Sequence, residues 1–451
     1  MFKICLKNVH NYHEYEELIK VFLSKDDFEI TSDEKDCDFI FYSNQDKNVL
    51  KKEIYEALSL ETKKLPPWGI ITGIRPVKLF GELVKNEGNI DLAKKKFREY
   101  YLVNENKINT TSQMYVFQQE IFKEPEVKSI GLYVSIPFCP TRCHYCSFPS
   151  NQVKDEEIER YLGALHKEID FVGEEMKKKG MFAESIYIGG GTPTTLNEEQ
   201  IKELSSHLMS AFGNEKLIEF TLEAGRPDTI TKGKLVNAKV CGVDRISINP
   251  QTMKDETLEL VGRNHDSEQI KRSFEVAKEV GDLKINADLI AGLPKENLED
   301  FKNSLEEVIN LNPDNITVHT LAIKRASKLV EIDKSFHYKQ AQIVREMLDY
   351  AEARLIKDNY IPYYLYRQKQ MAGSLENIGY AKKGTEGLYN ARIMEEHQTI
   401  IALGAGGITK VFFKDENRLE RVPNVTNYEI YISRIDEMLD RKRKQLFKEV
   451  E

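Results

Sequence analysis

Six short apolar runs recur between residues 130 and 322, and they constrain the fold more than any other feature of the chain. Helical patterns separate them, and the pattern after the first run places Ile158, Leu165 and Met176 on one face. Strand-like runs that alternate with helices predict βαβ units, and therefore a parallel sheet covered by helices. The six runs are GLYVSIP, SIYIGG, IEFTLEA, RISINP, INADLIAGLP and NITVHTLA.

The number of runs separates a closed barrel from an open one. A closed (β/α)8 barrel uses eight strands and about 250 residues. Here six runs occupy about 190 residues. The sequence therefore predicts an α/β fold built on a partial, open (β/α)6 barrel.

The barrel divides the chain into three predicted domains. Residues 1–125 contain two strand-like runs and an amphipathic helix, which predict a small N-terminal α/β domain, and the proline-bearing segment KEPEVKSIG follows it. Residues 126–325 hold the barrel. Residues 326–451 are predicted to form a mainly helical region that caps the substrate, interrupted by the glycine-rich segment QTIIALGAGGITKVFF.

Charge and hydropathy exclude two classes of partner. The net charge of -8 argues against a protein that coats nucleic acid or anionic membrane. The first twenty residues have no long apolar run, and no run in the chain approaches the ~20 residues that span a bilayer. We therefore predict a cytoplasmic protein with no nucleic-acid partner and no membrane partner.

Three of the six cysteines, Cys139, Cys143 and Cys146, lie within eight residues, directly after the first strand-like run. Six cysteines are too few for a disulfide scaffold, and thiolates suit zinc or iron–sulfur clusters. A structural zinc site takes four ligands, usually in two pairs, and here a second pair is missing although His144 stands close by. Three thiolates leave one iron of a [4Fe–4S] cluster open for catalysis. We therefore predict the three cysteines as metal ligands and catalytic residues.

The position of this loop is as informative as its spacing. It follows a strand at the carboxyl end, where barrel enzymes build their active sites. C-x3-C-x2-C at this place resembles the radical S-adenosylmethionine (SAM) superfamily. The second run ends in GGGTPTTL, which resembles the superfamily's segment for the amino group of SAM. The resemblance implies SAM contacts at Gly190, Gly191 and Thr192, since glycine lets the backbone approach a ligand.

A narrower resemblance covers residues 130–325. The segments YVSIPFCPTRCHYC, YIGGGTPT, TLEAGRPDTI, RISINPQTM, LVGRNH and ADLIAGLP follow the order found in oxygen-independent coproporphyrinogen III oxidases, also called coproporphyrinogen dehydrogenases. TGIRPVKL and YYLYRQKQMAGSLENIGY, outside the barrel, resemble the Hem Z type of this family. The resemblance implies a [4Fe–4S] cluster and SAM as cofactors. It also implies further cofactor-binding residues at Tyr133, Tyr145, Glu223, Gln251, Arg263, Asp288, Ala322 and Ile408.

The implied reaction is the oxidative decarboxylation of coproporphyrinogen III to protoporphyrinogen IX in haem biosynthesis. A 5′-deoxyadenosyl radical from SAM would remove hydrogen from a propionate side chain, and CO2 would leave. The implied partners are the tetrapyrrole and a low-potential electron donor such as flavodoxin or ferredoxin, with the protein acting as a monomer. Since the substrate has four carboxylates, we expect cations near the barrel mouth. The candidates are Lys324, Arg325, Arg367, Arg75 and Lys78.

One departure keeps other functions open. Phe148 stands where the decarboxylating members carry a fourth cysteine. A related radical enzyme could instead transfer methyl to haem with ring opening. A non-catalytic haem-trafficking protein is the third alternative, with His265, His319 and His397 as candidate axial ligands.

Overall fold

A computed structural model describes residues 1–43, 46–148, 150–322, 340–368 and 374–447. The predicted substrate cations Lys324 and Arg325 lie outside the described residues. No helix among the described residues combines the length and the apolar character needed to cross a bilayer.

A small parallel sheet opens the chain, as predicted. Its strands lie in the order β2-β1-β3, and its apolar core includes Ile4, Leu18 and Ile54. The elements are β1 (Phe2–Lys7), α1 (His13–Phe22), β2 (Phe28–Thr31), β3 (Phe39–Tyr42) and α2 (Lys47–Thr62).

Three helices then connect this sheet to the barrel: α3 (Pro76–Glu87), α4 (Ile90–Glu99) and α5 (Glu105–Ile121). Phe80 and Phe97 from these helices belong to the same apolar core as the barrel strands, whereas the small sheet has a core of its own. The boundary at residue 125 stays a prediction. The apolar cores divide the chain earlier, between α2 and α3.

All six predicted barrel strands are present and confirmed. The strands pair with one another in parallel and in sequence order. The segments between them form helices, because their apolar side chains recur on one helix face. The elements are β4 (Ser129–Ile136), α6 (Asp155–Lys179), β5 (Phe182–Gly190), α7 (Glu198–Phe212), β6 (Glu219–Gly225), α8 (Lys232–Val240), β7 (Arg245–Gln251), α9 (Asp255–Leu260), α10 (Ser267–Val280), β8 (Lys284–Ala291), α11 (Leu298–Asn310) and β9 (Asn315–Thr320).

The C-terminal region differs from the prediction of a mainly helical cap, because it also contributes five strands. β12 pairs in parallel with β4, and β11 pairs antiparallel with β9, so the barrel series continues on both sides into one eleven-stranded sheet. The elements are α12 (Ala341–Lys357), β10 (Tyr360–Arg367), β11 (Glu376–Lys382), α13 (Leu388–Glu395), β12 (Thr399–Leu403), β13 (Ile408–Phe413), β14 (Arg418–Pro423), α14 (Tyr428–Ser433) and α15 (Ile435–Gln445).

Buried ion pairs and hydrogen bonds connect the C-terminal region to the rest of the molecule. The carboxylate of Glu168 on α6 accepts hydrogen bonds from Gly404 N–H at 2.7 Å and the Tyr431 hydroxyl at 2.6 Å, and it pairs with Lys442 at 3.0 Å. Trp68 Nε1 donates to Glu376 on β11 at 2.7 Å. These contacts hold the C-terminal strands against the barrel, where they complete one wall of its mouth.

Candidate functional site

A cavity of about 380 Å³ lies at the carboxyl ends of the barrel strands. Twelve of the fourteen predicted site residues line it. They come from the cysteine loop, from the segment after α9, and from the ends of β5, β6, β7, β8 and β9, which parallel pairing brings to one edge of the sheet. They are Cys139, Cys143, Cys146, Tyr145, Gly190, Gly191, Thr192, Glu223, Gln251, Arg263, Asp288 and Ala322.

Tyr133 and Ile408 are not among the described residues that line the cavity. Tyr133 lies one layer behind the wall, where its ring stacks 6.3 Å from that of Tyr187, which does line it. Ile408 is the first residue of β13 and is 47% exposed. The structure thus brings Tyr133 close to the site and leaves Ile408 outside it.

Backbone hydrogen bonds shape the cysteine loop. Cys139 N–H donates to the carbonyl of Asn151 at 3.1 Å, and Cys146 N–H donates to that of Cys143 at 3.1 Å. His144 turns towards the end of α9, with its Nδ1 2.9 Å from the carbonyl oxygen of Leu260. The structure therefore uses His144 to anchor the loop and presents the three thiols to the cavity.

The three thiols suit a cluster better than a single ion. Among the described residues, no three His, Cys, Asp or Glu side chains converge as ligands of one ion. Zinc needs its thiolates about 2.3 Å from one point, whereas a [4Fe–4S] cube binds each thiolate through a separate iron. Burial raises the pKa of Cys139 to about 11, so an ionised thiolate there needs a cationic partner such as iron.

The glycine segment packs directly against this loop. Thr192 N–H donates to the carbonyl of Phe138 at 2.7 Å, and the Thr192 hydroxyl lies 3.5 Å from Cys139 Sγ. A Cβ added at Gly191 would lie 2.5 Å from the Phe138 carbonyl oxygen and 2.9 Å from Cys139 Sγ. Only glycine fits at this position without displacing the loop.

The pKa values of two buried carboxyl groups in the cavity are shifted in opposite directions. Burial, with the nearby charge of Asp288, raises the pKa of Glu223 to about 7, and the Tyr187 hydroxyl donates to it at 2.5 Å. Burial also acts to raise the pKa of Asp288, but His319 and Asn286 outweigh it and lower that pKa below its usual value. The site therefore offers one ionised acceptor and one carboxyl that titrates near neutral pH.

Arg263 joins the cysteine loop to the end of β7. Its guanidinium donates to the carbonyl of Asn249 at 2.6 Å and to the Tyr145 hydroxyl at 3.2 Å. Gln251, at the end of the same strand, is 8% exposed and has a φ of 70°. A left-handed backbone at a non-glycine residue is strained, and such strain concentrates at functional sites.

Sequence reasoning missed the arginine that supports the loop. Arg226 is 3% exposed, donates to Asp228 at 2.9 and 3.0 Å, and donates to the Thr141 hydroxyl at 2.6 Å. Asp228 in turn lies 3.6 Å from Nδ1 of His265. The available signal was the position of Arg226 directly after the third strand. Other missed lining residues include Tyr187, Asn249, Asn286, Tyr364, Tyr366, Asn377, Asn390 and Met394.

The substrate cations predicted from the sequence lie elsewhere, so this prediction is wrong for all three that the structure describes. Arg367 is buried 5.5 Å above the ring of Trp68 and donates to the Ser374 carbonyl at 2.8 Å. Arg75 pairs with Glu396, and Lys78 lies 6.0 Å from the ring of Phe412. These side chains join the N-terminal helices to the C-terminal strands.

The three candidate haem ligands do not lie together in one site. His265 is buried behind the wall, with its Nδ1 3.6 Å from Asp228 and its Nε2 3.5 Å from Arg263. His397 packs 5.9 Å from the ring of Phe412. His319 lines the cavity.

Comparison with known proteins places this site in a family. The model of the Radical SAM superfamily matches residues 133–308. The oxygen-independent coproporphyrinogen-III oxidase-like protein HemZ of Bacillus subtilis is 36% identical over 409 residues, which cover 89% of this chain and 81% of that protein. The chain belongs to this HemZ family of radical SAM proteins.

Two further comparisons bear on the barrel. The heme chaperone HemW of Bacillus subtilis is 36% identical over 193 residues, which cover 43% of this chain and 50% of that protein. The structure of coproporphyrinogen III oxidase (HemN) from Escherichia coli, a radical SAM enzyme, matches with a TM-score of 0.56 at 24% identity. That match covers 72% of this chain and 73% of HemN, and it shows the shared fold.

Radical SAM proteins of this family use a [4Fe–4S] cluster and SAM, and the cavity fits both. The soft thiols of the cysteine loop form the donor set for iron. Beside them, Asn249 Oδ1 is buried and has no hydrogen-bond partner among the described residues. A volume of about 380 Å³ falls in the range of small-molecule sites.

Proposed function

We propose that this chain is a radical SAM oxidoreductase that converts coproporphyrinogen III to protoporphyrinogen IX by oxidative decarboxylation. The cluster and SAM, when bound, supply a 5′-deoxyadenosyl radical by reductive cleavage of SAM. The observation that carries the proposal is one continuous cavity with the cysteine loop on one side and a wall from the C-terminal strands on the other.

Each side of the cavity has its own part in this proposal. Cys139, Cys143 and Cys146 would hold the cluster, and the backbone from Gly190 to Thr192 would bind the amino group of SAM. The polar side chains near the strand ends would bind the rest of SAM, because carboxylate and amide oxygens can accept from ribose hydroxyls, whereas amide and guanidinium N–H groups can donate to the SAM carboxylate. These are Glu223, Gln251 and Asp288, with Arg263 and Tyr145 beside them.

The residues that the structure describes in the opposite wall are aromatic or uncharged. Tyr364 and Tyr366 stand side by side on β10, with ring centroids 6.4 Å apart and planes inclined by 13°. Asn377, Asn390 and Met394 extend this wall. Aromatic and thioether surfaces pack well against pyrrole rings, and amides can bond to polar groups at the ring edge. This wall would also keep water away from a reactive radical.

A haem-trafficking role is the second candidate, and two observations favour it. The barrel is similar to that of a protein named heme chaperone. Phe148, at the position of the decarboxylating members' fourth cysteine, is 59% exposed at the cavity rim, while His319 offers an imidazole inside it.

One anaerobic experiment separates the candidates. The reconstituted protein is incubated with dithionite, SAM and coproporphyrinogen III, and products are followed by mass spectrometry, with Cys143→Ser as the control that lacks a cluster ligand. Loss of two CO2 per tetrapyrrole, with SAM cleavage, supports decarboxylation. SAM cleavage with an unchanged tetrapyrrole contradicts it and favours a radical reaction on haem. Stoichiometric haem capture without turnover favours trafficking.

Three further features belong to the same proposal: a low-potential flavodoxin or ferredoxin as electron donor, a monomeric state and a cytoplasmic location. They follow from the resemblance and the charge pattern.

A further inference from the structure

His319 occupies a bridging position in the cavity. Its Nε2 lies 3.5 Å from Asp288 Oδ2 on the neighbouring strand β8, and its Nδ1 lies 3.4 Å from the Tyr366 hydroxyl on β10. Asp288 needs a donor and the Tyr366 hydroxyl can supply one, so the tautomer that satisfies both carries its proton on Nε2. The His319 ring therefore contacts both strand β8 of the barrel and strand β10 of the opposite wall.

The charges around Asp288 show what this ring does. Glu223 on β6 and the tyrosines Tyr187, Tyr364 and Tyr366 face the same space, and ionisation of any of them would add negative charge. Together with burial, these groups oppose an ionised Asp288. His319 acts in the other direction, through its hydrogen bond and through the positive charge that it can carry.

The second oxygen of Asp288 is also fixed. Asn286 Nδ2 donates to Oδ1 at 2.8 Å, and the Thr317 hydroxyl donates to Asn286 Oδ1 at 3.2 Å. The carboxylate is thus held from two sides, by an amide on its own strand and by His319 on the next.

We propose that His319 is a positioning residue that holds the Asp288 carboxylate in place for SAM and ties that contact to Tyr366 on the opposite wall. The inference rests on the proposed role of Asp288 in SAM binding. It adds a residue from outside the set that the sequence resemblance assigned to SAM.

The test measures SAM binding to the reconstituted protein by anaerobic equilibrium dialysis between about pH 6 and pH 8.5, a range that spans the ordinary pKa of histidine. In His319→Ala, burial raises the pKa of Asp288, and the hydrogen bond from Asn286 remains to oppose it. We expect SAM binding about tenfold weaker, because the Asp288 carboxylate loses one of its two supports. The loss should be largest at the low end of the pH range, because removal of His319 raises the pKa of Asp288. His319→Gln keeps an N–H donor and should restore part of the affinity. Tyr366→Phe, which loosens the ring, should shift the profile in the same direction by less.

A matched control comes from another histidine–aspartate contact. His207 Nε2 lies 2.7 Å from Asp170 Oδ1 on the outer helices, outside the cavity. His207→Ala should leave the SAM profile unchanged.

Two results would overturn the inference: a His319→Ala profile that superimposes on the wild type, or an equal loss at every pH in His319→Ala and His319→Gln. If His319→Ala does not fold, the pH profiles of His319→Gln and Tyr366→Phe decide between the same outcomes. Wild-type protein that binds no SAM would instead contradict the proposed function, so the two failures are distinguishable.

Discussion

Gly191→Ala is the sharpest single test of how the glycine segment supports the cysteine loop. The added Cβ would lie 2.5 Å from the Phe138 carbonyl oxygen, which must retreat by about 0.5 Å to reach even a 3.0 Å contact. That carbonyl accepts the Thr192 N–H at 2.7 Å, so the hydrogen bond is disturbed as well. Overpacking of this kind costs about 1–3 kcal/mol. If the strain falls on Cys139, cluster retention weakens between about fivefold and a hundredfold.

The assay is the iron and sulfide content of protein reconstituted anaerobically and then challenged with a chelator. Gly163→Ala is the matched control, because no atom of the described residues lies within 4 Å of its added Cβ. Alanine also suits the interior of α6 better than glycine, by up to about 1 kcal/mol. We expect Gly191→Ala to lose its iron faster while Gly163→Ala behaves as the wild type. Equal iron retention in both variants would refute the steric argument.

Three further predictions concern stability, each read as a change in Tm. Glu223→Gln should stabilise the SAM-free protein above pH 7, by up to about 3 kcal/mol, and have little effect near pH 4. The pKa of Glu223 is about 7 in the folded protein and 4.5 ordinarily. The contribution of Glu223 to wild-type stability therefore falls as the pH rises from 4.5 to 7. Arg226→Gln should destabilise by about 3 kcal/mol, because it leaves Asp228 without its buried partner. Trp68→Phe should cost about 1–3 kcal/mol, because Glu376 loses its indole donor.

Controls for these predictions come from exposed positions. Arg160→Gln removes a surface pair with Glu157 and should change stability by less than about 0.5 kcal/mol. An Arg226→Gln variant as stable as Arg160→Gln would contradict the supporting role of Arg226. A Glu223→Gln gain that is the same at pH 4 and pH 8 would contradict the raised pKa of Glu223.

The barrel could be predicted from the sequence because each of its strands can be recognised from the local residue pattern. Each is a short apolar run, and parallel pairing then fixes which ends meet, so the loop with Cys139 and the ends with Glu223 and Asp288 converge on one edge. The C-terminal strand β12 is also a short apolar run, but its pairing partner cannot be recognised from the sequence. β12 pairs with β4, with Thr399 opposite Ile130, and no local periodicity reveals a partner so distant in sequence.

The missed parts of the site follow from those missed strands. Tyr366 reaches the cavity only because β10 and β11 extend the sheet beyond β9. The same extension buries Arg367, whose charge suggested a place on the substrate side. Residue type and spacing are enough to predict the function of a single loop such as the cysteine loop. The residues of the opposite wall could not be predicted, because they reach the cavity through strand pairing between distant parts of the chain.

The central claim is that the loop of Cys139, Cys143 and Cys146 carries a [4Fe–4S] cluster with one iron free to bind SAM. The most direct measurement is electron paramagnetic resonance of the reduced, reconstituted protein with and without SAM, with Cys241→Ala as a control outside the loop. We predict a spectrum that changes on adding SAM in the wild type and in Cys241→Ala. An unchanged spectrum from protein fully loaded with iron and sulfide would contradict the account.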